Sequence, residues 1–291
     1  LVFDRAALVQ KVALRGTAVS LMRDVNGQVR LAFEMPDRRQ GALLADGLAG
    51  LVRQIDTLRD RPVLAALEQM TLDGLAITYR DDRAGRVWTV DNGQFQFDIS
   101  RRRTTAKADL DVRGAAGITR LALAMDSPRG SDAASLSVAI SDAPARDLAS
   151  QSAALRFLAA LDAPLSATLD TALDASGRLG PIAITFDIGA GAVQPARNTA
   201  PLAFSHASAA LTYDPADQHL TFDRLRVASD WGQFEATGQA FAREFSRGLP
   251  QALIGQFSVR NIALTPADLY TQPITVQQAN IDLRLRLDPF R

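Results

Sequence analysis

The residues that could do chemistry are few. His206 and His219 are the only histidines, and cysteine is absent. "FSHAS" sets Ser205 beside His206, a hydroxyl next to a base, as nucleophilic catalysis requires. In an extended segment, however, adjacent side chains point to opposite faces, so the two cannot pair directly. His219 falls in "DPADQH", a turn, and reads as a solvated residue. Asp81 and Asp82 adjoin in "YRDDRAGR" and read as turn formers; the paired carboxylates of a glycosidase meet in space, which a sequence does not display. "GAGA" (189–192) lacks the strand-then-helix setting of a dinucleotide loop, and no GxSxG, HExxH or phosphate-binding lysine loop occurs. The absence of cysteine excludes disulfides, thiol nucleophiles and cysteine-held zinc or iron–sulfur. "RRRTTAK" (101–107) is the most basic stretch. It reads as a solvated hairpin end, with contact to an anionic lipid headgroup as the alternative. Overall 32 basic residues balance 32 acidic ones, which leaves no electrostatic footprint for nucleic acid. Trp88 and Trp231 read as packing residues. The expectation is therefore a protein that is not an enzyme, with no catalytic residue, no metal and no cofactor.

The elements that would position any site are mostly strands. Alternation of apolar and polar residues recurs along the chain: Leu165, Leu169 and Leu173; Ile182, Ile184, Phe186 and Ile188; Leu136, Val138 and Ile140; Phe95, Phe97 and Ile99. A period of two marks half-buried antiparallel strands, because strands covered on both faces are apolar throughout. Between them lie acidic and glycine-containing turns that predict hairpins: Leu21 to Val29, Tyr79 to Val87, Leu173 to Leu179 and Tyr213 to Leu220. About fourteen to eighteen strands are expected. Two segments depart from this pattern. Residues 38–70 carry Leu44, Leu48, Leu51, Ile55 and Leu58 at helical steps around Pro62. Residues 144–162 are a second helical insertion, and "TPADLYTQP" (265–273) could begin a short turn of helix at Thr265 and Pro266.

The repeated product is a surface rather than a constellation. Hydrophobic residues make up 47% of the chain, and strand after strand places them on one face. Such a face must be covered by a second sheet, a helix or something that is not protein. The predicted helices are too few for so many strands. A closed sandwich would cover the face by itself; a curved open sheet would leave it to lipid. The last stretch, "ANIDLRLRLDPFR", alternates Ile281, Leu283, Leu285 and Leu287 with charged residues and then stops. The first residue is Leu1, without a methionine, and no leader peptide or bilayer-spanning run is present. The expectation is an internal piece of a longer protein: one continuous β-groove over 1–291, with a possible sub-boundary near 160.

"LDAPLSATLDTALDASGRLGPIAITFDIGAGAV" followed by "SAALTYDPADQHLTFDRLRVASDWGQFEATGQA" resembles the AsmA-like superfamily of diderm bacteria, in particular its YhdP- and TamB-like members. "LRGTAVSLM…VRLAFEMP" and "LDGLAITYRDDRAGRVWTVDNGQFQF" are similar to the middle part of the YhdP-like ones. The resemblance implies a bridge-like lipid transport protein, anchored in the inner membrane outside this stretch and crossing the periplasm toward an outer-membrane partner. Its taco-shaped β-groove would carry phospholipid acyl chains between the membranes. The family supplies no catalytic motif to transfer. The alternation alone nominates the groove-lining residues: Leu169, Leu173, Ile182, Ile184, Phe186, Ile188, Leu220, Phe222, Leu283, Leu285 and Leu287. The alternative is a structural, adhesive or scaffolding β-protein of the cell envelope with a closed core.

Overall fold

A computed structural model describes residues 10–25, 29–33, 41–43, 66–82, 85–149, 153–194, 199–230, 232–244, 252–264 and 274–286. The chain is mainly β. In order the strands are β1 (Lys11–Arg15), β2 (Ala18–Arg23), β3 (Val29–Phe33), β4 (Gly41–Leu43), β5 (Gln69–Asp81), β6 (Arg86–Ile99), β7 (Arg103–Arg113), β8 (Ile118–Pro128), β9 (Ala134–Pro144), β10 (Leu161–Asp162), β11 (Pro164–Leu173), β12 (Ile182–Ile188), β13 (Gly191–Val193), β14 (Leu202–Phe204), β15 (His206–Asp214), β16 (His219–Ser229), β17 (Gly232–Arg243), β18 (Ala252–Leu264) and β19 (Ile274–Arg286). Sixteen of them form one sheet, open at β19 and β4, in the order β19-β18-β17-β16-β15-β12-β11-β9-β8-β7-β6-β5-β2-β3-β4, with β1 on β5; β10, β13 and β14 form a second, small sheet. The chain divides into two compact units, Leu1–Val138 with Thr171–Leu179, and Ala139–Asp170 with Gly180–Arg291.

In the first unit the expected hairpins form at Leu21↔Leu31 and Tyr79↔Trp88, and Leu173 bridges Leu179. The sheet is mixed, not purely antiparallel, because β1 and β2 both run parallel to β5. They lie on the same edge of β5, β1 along its first half and β2 along its second. Gly16 and Gly74 face each other at the join with φ of 65° and 64°. The Gly16 amide donates to the Asp73 carbonyl at 2.9 Å and the Ala76 amide to the Thr17 carbonyl at 2.9 Å. A left-handed backbone at both positions is cheap only for glycine. Register then stacks Met70, Phe97, Ala106 and Met125 in one apolar row across β5–β8. Phe97 is 2% exposed and packs with Leu67 and Ile99.

In the second unit the hairpin of β15 and β16 pairs Tyr213 with Leu220, as the turn chemistry predicts. The helical insertion at 144–162 resolves into α1 (Ala145–Ala149), a 3₁₀ segment (Ala153–Ala160) and the short strand β10. Ala145, Ala149 and Leu158 pack on Leu165, with Phe186 and Ile188 beside them. Of the other predicted helix, only Gly41–Leu43 and Gln69–Met70 are described as regular structure, and both are strand; most of the remainder of 38–70 and all of 265–273 lie outside the described residues.

Candidate functional site

The second unit carries a surface of seven successive strands, β11, β12 and β15–β19. Residues paired across antiparallel strands share a face, so the register can be followed strand by strand. One row runs Leu169–Ile184–Leu211–Phe222–Gly238–Phe257–Ile281 over β11, β12, β15, β16, β17, β18 and β19. A second runs Ala167–Phe186–Ala209–Leu225–Ala236–Val259–Ala279, and a third, Ile182–Tyr213–Leu220–Ala240–Gly255–Leu283. Seven strands at about 4.8 Å spacing make each full row about 29 Å long. The reverse face is polar: Asp187, Ser208, Arg226, Glu235, Arg260 and Gln278 form one row.

Ten of the eleven nominated groove residues fall within the described strands of this unit or the adjoining end of β11. Leu169, Ile182, Ile184, Phe186, Ile188, Leu220, Phe222 and Leu283 lie on the one apolar face, and Leu173 continues Leu169 along β11. Leu173 is buried against Met125 and Ala134 in the first unit, and Phe186 and Ile188 lie under the helical insertion. Leu285 is placed by backbone register opposite Leu253, and Leu287 lies outside the described residues. Sequence reasoning missed Leu211, Leu225, Phe257 and Val259, which the same rows bring in. A bulge in β16 between Phe222 and Leu225 resets which parity faces inward and hides Leu225; Leu211 sits in an unbroken β15 alternation whose other members on that face, Ala207 and Ala209, are small.

Exposure along this face is graded. Ile184, Phe222, Leu225 and Phe257 are half-buried, whereas Ile281 is 45% and Leu283 39% exposed on β19. The fully covered positions on β17 are alanines, Ala236, Ala240 and Ala242. At the centre, Phe222 and Phe257 flank Gly238 and their rings meet, centroids 5.1 Å apart and tilted by 60°. A Cβ at Gly238 would collide with the Gln256 carbonyl and come within 2.7 Å of the Phe257 ring. The glycine lets the two aromatics close over it.

The residues that sequence alone offered for chemistry are placed differently. Ser205 Oγ donates to the Ala228 carbonyl (3.0 Å), while His206 Nε2 lies 2.9 Å from Asp187 Oδ2. His219 is not a solvated turn residue: it opens β16, its ring stacks on Phe241 at 4.7 Å, and among the described residues its buried Nε2 has no partner. Asp81 and Asp82 are not equivalent turn residues either. Asp82 binds Arg80 at 2.7 Å near the surface, whereas Asp81 is 1% exposed, with Arg23 at 3.3 Å and the Tyr79 hydroxyl donating to it at 3.4 Å. Burial, and then the Asp81 charge, raise the Tyr79 phenol above its ordinary value. Trp88 is a packing residue at 7% exposure, and Trp231 lies outside the described residues. The basic stretch at 101–107 turns through Ser100, which caps Arg102 and Arg103, and Arg103 pairs with Asp126 at 2.7 Å.

Among the described residues no helix is long and apolar enough to cross a membrane. Two cavities of about 540 and 530 Å³ open in the second unit. Polar side chains of the reverse face give both their character: His206, Arg226 and Glu235 line the first, and Thr221, Gln239 and Gln256 the second. No protein-family model, curated protein or solved structure matches the chain.

Proposed function

We propose that this chain is a periplasmic segment of a bridge-like lipid transport protein of the AsmA-like type, whose apolar β-face carries phospholipid acyl chains between the inner and outer membranes. It works without catalysis or cofactor, as part of a longer protein anchored in the inner membrane. The observation that carries this reading is the set of apolar rows in register across β11–β19, with Ile281 and Leu283 open to solvent at the far side.

Physical chemistry supports it. Each methylene withdrawn from water contributes about 0.8 kcal/mol, so a long acyl chain is held firmly anywhere on such a face. The rows repeat similar aliphatic side chains from strand to strand, so neighbouring positions differ little in energy and a chain can move along them. About 29 Å of row compares with about 15 Å for the hydrocarbon of one bilayer leaflet, half of the usual core.

The test is lipid extraction and mass spectrometry of the protein purified gently from a diderm host. Co-purifying phospholipid at near-stoichiometric amounts is expected. A folded protein that carries none would remove the reading.

A further inference from the structure

At one end of the first unit's sheet, two turns gather cations that no carboxylate among the described residues neutralises. The β6–β7 turn carries Arg101 and Arg102, and the β8–β9 turn carries Arg129. β7 and β8 pair to their ends, with Arg103 opposite Pro128, and the Arg129 amide donates to the Arg102 carbonyl at 2.9 Å. The two turns therefore lie side by side. All three arginines are exposed, and none forms an ion pair among the described residues.

The carboxylates around them are committed or do not reach. Arg103 takes Asp126 at 2.7 Å, Asp98 accepts from the Gln69 and Gln96 carboxamides at 3.0 and 2.7 Å, and Asp132 has a partner of its own. Glu68, whose carbonyl accepts from the Ile99 amide, forms no ion pair with any of the three. Arginines in other turns and strand ends are matched: Arg80 with Asp82 at 2.7 Å, Arg113 with Asp91 at 3.3 Å and Arg178 with Asp174 at 2.9 Å. Water solvates both sets alike; what distinguishes the first is the missing carboxylate. In a chain whose 32 basic and 32 acidic residues balance, it is a local surplus of positive charge.

Both turns are held in shape. Ser100 Oγ accepts from the Arg102 and Arg103 amides at 3.3 and 2.9 Å, and the Ser100 amide donates to the Arg103 carbonyl at 2.8 Å. In the other turn Ser127 Oγ donates to the Ala133 carbonyl at 2.7 Å, and Ser131 Oγ accepts from the Ala133 amide at 3.1 Å. Like charges held together repel, and an anion that arrives between them relieves the repulsion.

The side chains specify that anion. A guanidinium presents paired donors that match a phosphate. Neither turn exposes a large apolar side chain, so there is no anchor of the kind on which protein partners depend. Nucleic acid calls for a longer basic track than two turns supply. A bilayer bearing anionic phospholipids offers many phosphates in one plane, which two adjacent turns at a sheet end can meet together. We propose that these turns dock the first unit onto an anionic bilayer surface, with Arg101, Arg102 and Arg129 binding lipid phosphates. This inference goes beyond acyl-chain transport and does not depend on it, because the apolar rows belong to the second unit.

The experiment is flotation of the full chain with vesicles of phosphatidylcholine alone and of phosphatidylcholine mixed with phosphatidylglycerol. Each arginine at an anionic surface contributes about fivefold, so the mixed vesicles should bind about 100-fold more tightly at low salt. Raising the salt should erode that preference. Arg101→Gln, Arg102→Gln and Arg129→Gln combined should reduce it by at least about tenfold. Arg80→Gln, Arg113→Gln and Arg178→Gln combined remove the same charge from paired sites and should leave it within about threefold. All six side chains are exposed, so melting temperatures should match the parent. Equal binding to both vesicles, a preference that survives the first triple variant, or one lost equally in the second, overturns the proposal.

Discussion

The apolar face of β5–β8 in the first unit and that of β15–β19 in the second arise from the same alternation, yet they are finished differently. In the first, the centre of the face is covered by large side chains, Phe97, Ile99, Trp88 and Val90 all being buried, and Leu123 on β8 is the exposed exception at 37%. In the second, Leu211, Val259 and the alanines of β17 are buried, but Ile184, Phe222, Leu225 and Phe257 are half-buried and, on β19, Ile281 and Leu283 are open. The first face also tolerates a buried ion pair, Arg23 with Asp81, at its end. A period of two therefore fixes which side is apolar but not what covers it. Burial separates a face that holds the fold from one that is free to hold something else.

If that contrast is correct, substitutions should divide by face and not by residue type. The largest effect is expected for Phe97→Ala, about 4 kcal/mol of stability lost to the cavity, measured as a shift of the denaturant midpoint; Ile281→Ala, at 45% exposure, should cost well under about 1 kcal/mol. Next is Asp81→Ala, about 3 kcal/mol, because it leaves Arg23 without its buried partner. Gly238→Val should follow at about 2 kcal/mol, from overpacking and from parting Phe222 and Phe257; near-ultraviolet circular dichroism would register the loss of that ring contact.

The smallest effect is expected at the turn between β11 and β12. Ser176, through its hydroxyl, and then the Arg178 amide hold the Asp174 carboxyl well below the usual carboxylate range. A depressed folded value contributes stability above the unfolded value of about 3.9, and that contribution is lost as the pH falls. Asp174→Asn should therefore lower the melting temperature slightly at pH 6, and the difference should shrink toward pH 2. A difference constant with pH would remove the ionic account of this turn.

Most of the fold was legible because hairpins are local. The hairpins expected from Leu21 to Val29, from Tyr79 to Val87 and from Tyr213 to Leu220 each follow from a turn a few residues long; Tyr213 does pair with Leu220, whereas Val29 pairs with Arg23 and Val87 with Arg80. What was not legible depends on distance. Nothing around "YRDDR" announces that Arg23, 58 residues earlier, will bury Asp81 and leave Asp82 outside. The parallel placing of β1 and β2 on β5 joins strands more than fifty residues apart in sequence, which no local pattern encodes. His219 was read from its turn, whereas Phe241, its strand partner in β17, decides its setting. The candidate surface was half legible for a related reason. Ile182–Ile188 alternates without a break, but the bulge in β16 concealed Leu225, and the alanines of β15 gave Leu211 no apolar run to belong to.

The central claim is that lipid lies on one face of the second unit and not the other, and site-specific photo-crosslinking in cells reads this directly. A benzophenone side chain introduced at Phe257, Ile281 or Leu283 should crosslink to phospholipid, while the same probe at Gln239 or Gln256 on the opposite face should not. Equal lipid crosslinking from both faces, or none from the apolar positions in a folded protein, would contradict the account.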